Sequence, residues 1–526
     1  VSKKGVLAIP VAIFLLLSCG RNRYGDKMIF RYNEAEGISS LDPLYAHNRA
    51  NIWAISMIFN GLFELESNLK PTLCIAKKYE LSEDKLTYTF TLRDDILFHD
   101  DPCFLSDAER KLKANDVVFS LNRLKKFPAS GWVLSEVADS GIYALNDSTV
   151  IIQLINPYVQ FINILTMPYC AIVSKKAVEF YKEKTRNHPV GTGPFRFKTW
   201  NENEKLILLK NPDYFQFEGN ERLPYLDAVN VTFVKDRQIE FLDLVMGELD
   251  FMSGVEAAFK DEILTQKGDI QEKYRDKIQL IKQSYLNTEY LGVMVNQQNI
   301  WQNQQFRKAV QSAIQKQSIV SFLRSGIGIP AINGFVPPVL YNNKASIPTN
   351  RYNPKLLQSL SKDLSSENRK IKLYTSGNYT EIALSVRNDL NKSGLECEIE
   401  VLDRASLKNQ VANGQLPFFR GSWIADYADP ENYLALFYSK NKAPNGPNYT
   451  QFENAEFDKY YELCRTELND SIRETYYKLM DQIIIDEAPV FPLFYDEVTI
   501  FHRNSVSGLK TNALNRPDLR RVKKTN

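Results

Sequence analysis

Histidine is scarce in this 526-residue chain: only His47, His99, His188 and His502 occur. That scarcity limits imidazole catalysis and metal ligation. Cysteine is sparse too. Cys19, Cys74, Cys103, Cys170, Cys397 and Cys464 are the six, and no two form a C-x-x-C pair, which argues against a zinc or thioredoxin-type motif. An excess of charge of one sign is missing. The 65 Lys+Arg and 63 Asp+Glu leave +2, which supplies no basic field for nucleic acid. No apolar run reaches the roughly 20 residues of a membrane span. The motifs G-x-x-x-x-G-K-S/T, H-E-x-x-H and G-x-S-x-G are all absent. Gly326-Ile-Gly328 lacks a third glycine. Gly191-Thr-Gly193 runs into Pro194, which has no N–H for a phosphate. Ser82-x-x-Lys85 sits in a charged turn, and His99 reads as a structural hydrogen-bonding residue. The sequence therefore points to no catalytic residue, no metal site and no cofactor.

What is present is a globular composition: 44% hydrophobic, 24% charged and 12% aromatic. The length fits about three domains or sub-domains. The first twenty residues address the compartment. Lys3 and Lys4 precede an almost wholly apolar stretch from Gly5 to Leu17, as in a secretory signal. Its end, Leu16-Leu17-Ser18-Cys19, resembles a bacterial lipobox, which implies a lipid on Cys19. With Lys3 and Lys4 set aside, basic and acidic residues balance at 63 each. The five cysteines beyond Cys19 read mostly as isolated buried thiols.

Period-2 alternation over 86–92 predicts a half-buried strand, with Leu86, Tyr88, Phe90 and Leu92 on one face. A helix capped by Asn115 or Asp116 would bury Val117, Val118, Leu121 and Leu124. Asn146-Asp147-Ser148 predicts a hairpin turn. Segments 195–200 and 206–209 predict another hairpin. Residues 237–246 predict a helix with Ile239, Leu242, Val245 and Met246 on its apolar side and Gly247 just past its end. Beyond about residue 286, strands (290–295, 371–375, 395–402, 416–424, 489–495) alternate with helices (303–324, 380–393, 404–413, 453–469, 471–486). That alternation argues for an α/β lobe beside a hairpin-rich one, with a ligand cleft between them.

Several motifs appear in a fixed order: Ser40-Leu-Asp-Pro43, Gly61-Leu-Phe-Glu64, Leu81 to Arg93 with Phe98-His-Asp100, and Asn115-Asp-Val-Val-Phe-Ser-Leu121. Val190-Gly-Thr-Gly-Pro-Phe195, Gly247-Glu-Leu-Asp250, Phe306-Arg-Lys-Ala309, Trp423-Ile-Ala-Asp-Tyr-Ala-Asp-Pro430 and Ala488-Pro489 follow. In this the chain resembles the peptide/oligopeptide-type solute-binding lipoproteins of ABC importers, bacterial extracellular solute-binding protein family 5. One departure is Phe98-His-Asp-Asp-Pro-Cys-Phe104 with extra polar residues to Lys113, an enlarged surface loop where relatives have a short turn.

The resemblance implies a mixed α/β, two-lobed periplasmic-binding-protein-like fold with a third sub-domain. The corresponding division is 1–18 signal peptide, 19–27 lipidated tether, 28–70 with 189–285 and 497–526 as a discontinuous lobe I, 71–188 an extra sub-domain, and 286–496 lobe II. It implies a monomeric, exported, membrane-tethered, non-enzymatic receptor, periplasmic or at the cell surface, that delivers short peptides to ABC permease and ATPase subunits. Asp426 matches the residue that pairs with the ligand's α-ammonium. Arg420 matches an Arg that helps hold the C-terminal carboxylate. One extended strand over 420–426 would separate the two by about 20 Å at roughly 3.3 Å per residue. Trp423 would pack beside the peptide or in the core, and Tyr427 would donate from its hydroxyl or stay structural. A same-fold receptor for a metal chelate or haem, an exported hydrolase and a scaffold are the competing readings.

Overall fold

The computed structural model describes residues 27–256, 259–342 and 351–525. The signal segment, Cys19 and the tether up to residue 26 lie outside them. Residues 76–154 build a four-stranded antiparallel sheet in the order Ala76–Leu81, Thr87–Leu92, Thr149–Leu154, Val137–Asn146. Its second strand buries Tyr88, Phe90 and Leu92 on one face and leaves three threonines on the other, as its alternation dictates. Helix Ala114–Lys125 covers this sheet with Val117, Leu121 and Leu124, while Val118 is only half-buried. The helix begins earlier than the cap expected at Asn115 or Asp116. Lys113 is the N-cap, and Asp116 reaches back to accept its backbone N–H at 3.0 Å. The loop enlarged after His99 is anchored: Arg110 is buried and bonds to Phe98 O, Asp107 and Asp213.

A second, 11-stranded mixed sheet organises the rest. At one end Ile29–Asn33 pairs in parallel with Ala228–Thr232, followed by the hairpin Lys205–Lys210 and Phe195–Asn201. At the other end Glu396–Leu402, Lys370–Ser376 and Phe418–Ile424 lie parallel, joined by helices Thr380–Lys392 and Arg404–Ala412. These crossovers are what parallel neighbours require. Two long antiparallel strands, Ile278–Val293 and Val490–Arg503, connect the two ends. Their register is broken between Ser284 and Thr288, so 278–284 pairs with 497–503 and 288–292 with 490–495.

Two expectations are corrected here. Helix Arg237–Met246 does end on left-handed Gly247 (φ 88°), but its buried residues are Glu240, Phe241 and Leu244. Ile239, Leu242 and Met246 are exposed, because Phe241 and Leu244 are the ones that meet the core around Phe501. The continuous helix expected over 303–324 is broken. Gln304–Ala313 stops, Gln315 donates its backbone N–H to Asp389 at 2.9 Å, and a short helix and a π turn follow.

Gly191 and Gly193 allow a close approach rather than a phosphate contact. A Cβ on either would meet the Ile58 backbone, 2.0 Å from its oxygen at Gly191 and 2.5 Å from its carbon at Gly193. His99 locks this crossing from inside, with Nε2 2.9 Å from Gly193 O, and burial pushes its pKa down to about 4. The cysteines Cys74, Cys103, Cys170, Cys397 and Cys464 are all buried and free. Among the described residues no helix is long and apolar enough to cross a membrane.

Candidate ligand cleft

Strand Phe418–Ile424 lies antiparallel to 287–293, with Ser422 opposite Glu289 and Arg420 opposite Leu291. Arg420 and Glu289 are thus diagonal neighbours on one face, within reach of long side chains. Arg420 Nε donates to Glu289 Oε2 at 3.1 Å, and its guanidinium stacks 3.3 Å from the Tyr379 ring centroid. Glu289 is almost fully buried, so burial raises its pKa and Arg420 opposes the rise. Sequence reasoning aims Arg420 at a ligand carboxylate; the structure gives it a carboxylate of the protein.

The strand ends at Ile424, two residues short of the extended run over 420–426. Ala425 then donates its N–H to Leu286 O at 2.8 Å, and Leu286 donates its own to Ala513 O at 2.7 Å. The chain turns into Asp426, whose side chain is half-buried. Asn432 fixes this corner. Its Oδ1 accepts the Trp423 indole N–H at 2.9 Å and the Asp426 backbone N–H at 3.3 Å. Asp426 has no ion pair among the described residues. Burial raises its pKa, while Asn432 and the charge of Arg516 oppose the rise. Beside it the fully buried Tyr433 hydroxyl has no hydrogen-bond partner among the described residues.

Tyr427 points away from this corner. Its hydroxyl donates to Glu431 and lies 2.9 Å from the Tyr158 hydroxyl, which itself donates to Glu431 Oε2 at 2.9 Å. Tyr461 donates to the other oxygen of Glu431. Burial, with Glu431 adjacent, pushes all three phenols well above their usual range. A donation from Tyr427 to a ligand is therefore replaced by a donation to Glu431. Asp429 extends the contact, accepting from Asn163 at 3.0 Å and Tyr477 at 2.8 Å. Burial raises its pKa to about 6. Through these bonds segment 158–163 is docked against 427–477.

Arg516 is the residue that sequence reasoning missed. Asn512 Oδ1 accepts the N–H groups of Leu514 at 3.0 Å and Arg516 at 3.3 Å, and Asn515 takes a left-handed φ of 53°. This turn presents Arg516 in a cavity of about 390 Å³ that it lines with Asn60, Thr166, Lys510 and Arg520. Burial pulls its pKa down to about 10. Asn-Ala-Leu-Asn-Arg-Pro was the available signal: a turn-forming asparagine pair with an arginine locked before proline. No group of three or more His, Cys, Asp or Glu suited to a metal occurs among the described residues.

Residues 70–445 match the bacterial extracellular solute-binding proteins, family 5, middle region. The chain belongs to that family. It is a solute-binding protein of the kind that serves ABC importers, not an enzyme. The glutathione-binding protein GsiB of Escherichia coli O1:K1 is 27% identical over 520 residues, 97% of this chain and 96% of the relative. HbpA2 of Haemophilus parasuis superposes with a TM-score of 0.83 at 22% identity, covering 95% of this chain and 100% of that one. The ABC transporter-associated periplasmic binding protein DppA of Helicobacter pylori, solved with the peptide STSA, gives 0.73 at 25% identity, covering 93% and 97%. The two-lobed periplasmic-binding-protein fold is thereby shown.

Proposed function

We propose that this protein captures short peptides between its lobes and delivers them to an ABC permease, held at the membrane by a lipid on Cys19. Asp426 receives the ligand's ammonium. The observation that carries this reading is a half-buried carboxylate in a corner built by Trp423 and Asn432, with no cation paired to it among the described residues. A desolvated carboxylate is costly alone, and a cationic ligand group offsets that cost. An ammonium is the one cation common to all free peptide N-termini, so its capture is independent of side chains. Trp423 walls the corner. Arg420 and Tyr427 act behind it, through Glu289 and Glu431. The lobes divide at 285/286 and 496/497, beside the register break in the two long strands.

The names of relatives point the same way. GsiB is described as binding glutathione, itself a tripeptide with a free ammonium, and the DppA structure holds a tetrapeptide. The test is calorimetry with a varied pool of short peptides, together with mass spectrometry of ligand carried through native purification. Binding that survives N-acetylation of the peptide would remove the role given to Asp426. Absence of any peptide binding would remove the reading. For the anchor, mass spectrometry of the N-terminus from native membranes checks for acylated Cys19.

A further inference from the structure

The cavity of about 390 Å³ that Arg516 lines lies where three stretches meet: the residues after helix Arg49–Ile58, the turn 211–214 and the C-terminal run 510–521. Asp426, Trp423 and Asn432 are not among its walls, so it is distinct from the corner given to the ammonium. Its volume falls in the range of small-molecule sites, about 300–1,000 Å³. The charges that line it nearly cancel. Glu64 holds Arg520, Glu218 holds Arg521, and Asp518 holds both arginines. Glu66 and Lys510 have no ion pair among the described residues, but both are exposed and opposite in sign, so they offset. The uncompensated charge is Arg516, which is half-buried and has no ion pair among the described residues.

One side of this guanidinium is engaged and one edge is idle. Nη1 donates to Thr166 O at 3.4 Å, its single hydrogen bond among the described residues. The Nε–Nη2 edge is left over, and two parallel N–H groups on one edge match the two oxygens of a carboxylate. A second donor in the same cavity is idle as well. The Tyr214 ring is fully buried, yet its hydroxyl has no hydrogen-bond partner among the described residues. Asn60 lines the cavity with it, oriented by the Thr192 hydroxyl, which donates to its Oδ1 at 3.1 Å. Buried donors without acceptors are costly, so a ligand oxygen that accepts from them is stabilised there.

We infer that this cavity is a carboxylate site, in which one carboxylate group seats on the idle edge of Arg516 and a further oxygen of the same molecule accepts from Tyr214. Two sources supply that chemistry: a separate small hydroxy acid, and the C-terminal carboxylate of a bound peptide with its last carbonyl. Only the second source rests on the reading that the protein captures peptides. The single uncompensated positive charge sets the preference at one carboxylate and against a neutral molecule of the same shape.

The test is calorimetry at constant ionic strength with lactate and with lactamide, its uncharged counterpart, on wild type, Arg516→Gln and Tyr214→Phe. Wild type is expected to bind lactate at least ten-fold tighter than lactamide. Arg516→Gln is expected to lose that preference, and Tyr214→Phe to weaken lactate by about three-fold. Equal affinity for the two compounds overturns the inference. So does lactate binding that is unchanged in Arg516→Gln, or no lactate binding at about 100 mM. Trialanine and its C-terminal amide, each added to the lactate complex, separate the two sources. Displacement of lactate by the free acid and not by the amide assigns the site to the peptide's own carboxylate. Lactate that stays bound under saturating trialanine assigns it to a separate acid. If no peptide binds at all, peptide capture falls and the lactate arm still decides the cavity. Should Arg516→Gln fail to fold, the preference of wild type for lactate over lactamide decides alone.

Discussion

Tyr158 donates its hydroxyl to Glu431 at 2.9 Å across 273 residues of chain. The bond ties the region of the four-stranded sheet to the region that carries Asp426. It is fully buried and ends on a carboxylate, the class of hydrogen bond whose loss costs about 1.5–3 kcal/mol. Tyr158→Phe is therefore expected to lower the urea-unfolding free energy by about that amount with an unchanged slope. An unchanged midpoint would show that Tyr427 and Tyr461 suffice for Glu431.

Arg420 gives a prediction about stability before binding. Arg420→Met leaves Glu289 buried with only Asn287 and Tyr379 to meet it. Breaking such a pair costs about 3–5 kcal/mol. A large fall in the melting midpoint of the ligand-free protein is the expected result. A stable variant with weakened peptide affinity would instead make Arg420 a ligand contact.

Asp426→Asn is expected to behave in the opposite way. The ligand-free protein loses a desolvated charge that has no ion-pair partner among the described residues, so its stability holds or rises slightly. Affinity for an ammonium-bearing ligand falls by about 2–5 kcal/mol, roughly 30-fold to several thousand-fold. Calorimetry and thermal melting on the same preparation check both halves.

Asp481 makes stability fall with pH. It is fully buried, accepts the Phe335 N–H at 2.6 Å and the Tyr341 hydroxyl at 3.2 Å, and has no ion pair among the described residues. Burial raises its pKa to about 7 from 3.8. Between about pH 4 and 7 the folded chain holds a proton that the unfolded chain has released. Its contribution is thus complete below pH 4 and is lost as pH rises through 7, by up to about 4 kcal/mol. Asp429, raised to about 6, adds in the same direction. Unfolding midpoints at pH 5, 6, 7 and 8 are expected to decline in wild type and more gently in Asp481→Asn. A parallel decline would exclude Asp481 as a source.

Local periodicity made much of the fold legible. Tyr88, Phe90 and Leu92 announce their strand, and Gly247 announces a helix end because its φ of 88° suits glycine. The segments 396–402 and 404–412 also lie close to their predicted bounds. The first half of strand Ile278–Val293 was missed, since Gln279, Lys282 and Gln283 interrupt its apolar pattern and its pairing comes from residues 497–503. The wrong face of helix 237–246 has a similar cause: Ile239 and Leu242 carry the helical period, but tertiary contacts select Phe241 and Leu244. At the cleft, Asp426 stands inside a motif and so was visible. Arg516 is 90 residues away in the sequence, and the backbone bonds from Leu286 to Ala425 and Ala513 bring the two segments near each other.

The long strands Ile278–Val293 and Val490–Arg503 also have a consequence for how the molecule comes apart. Each is shared by both ends of the large sheet, so neither end possesses a complete hydrogen-bond ladder of its own. Cutting or melting one lobe strips the other of a strand edge. Melting of the two ends is therefore expected to be coupled through these strands, and an isolated lobe excised by protease is expected to expose an unpaired sheet edge.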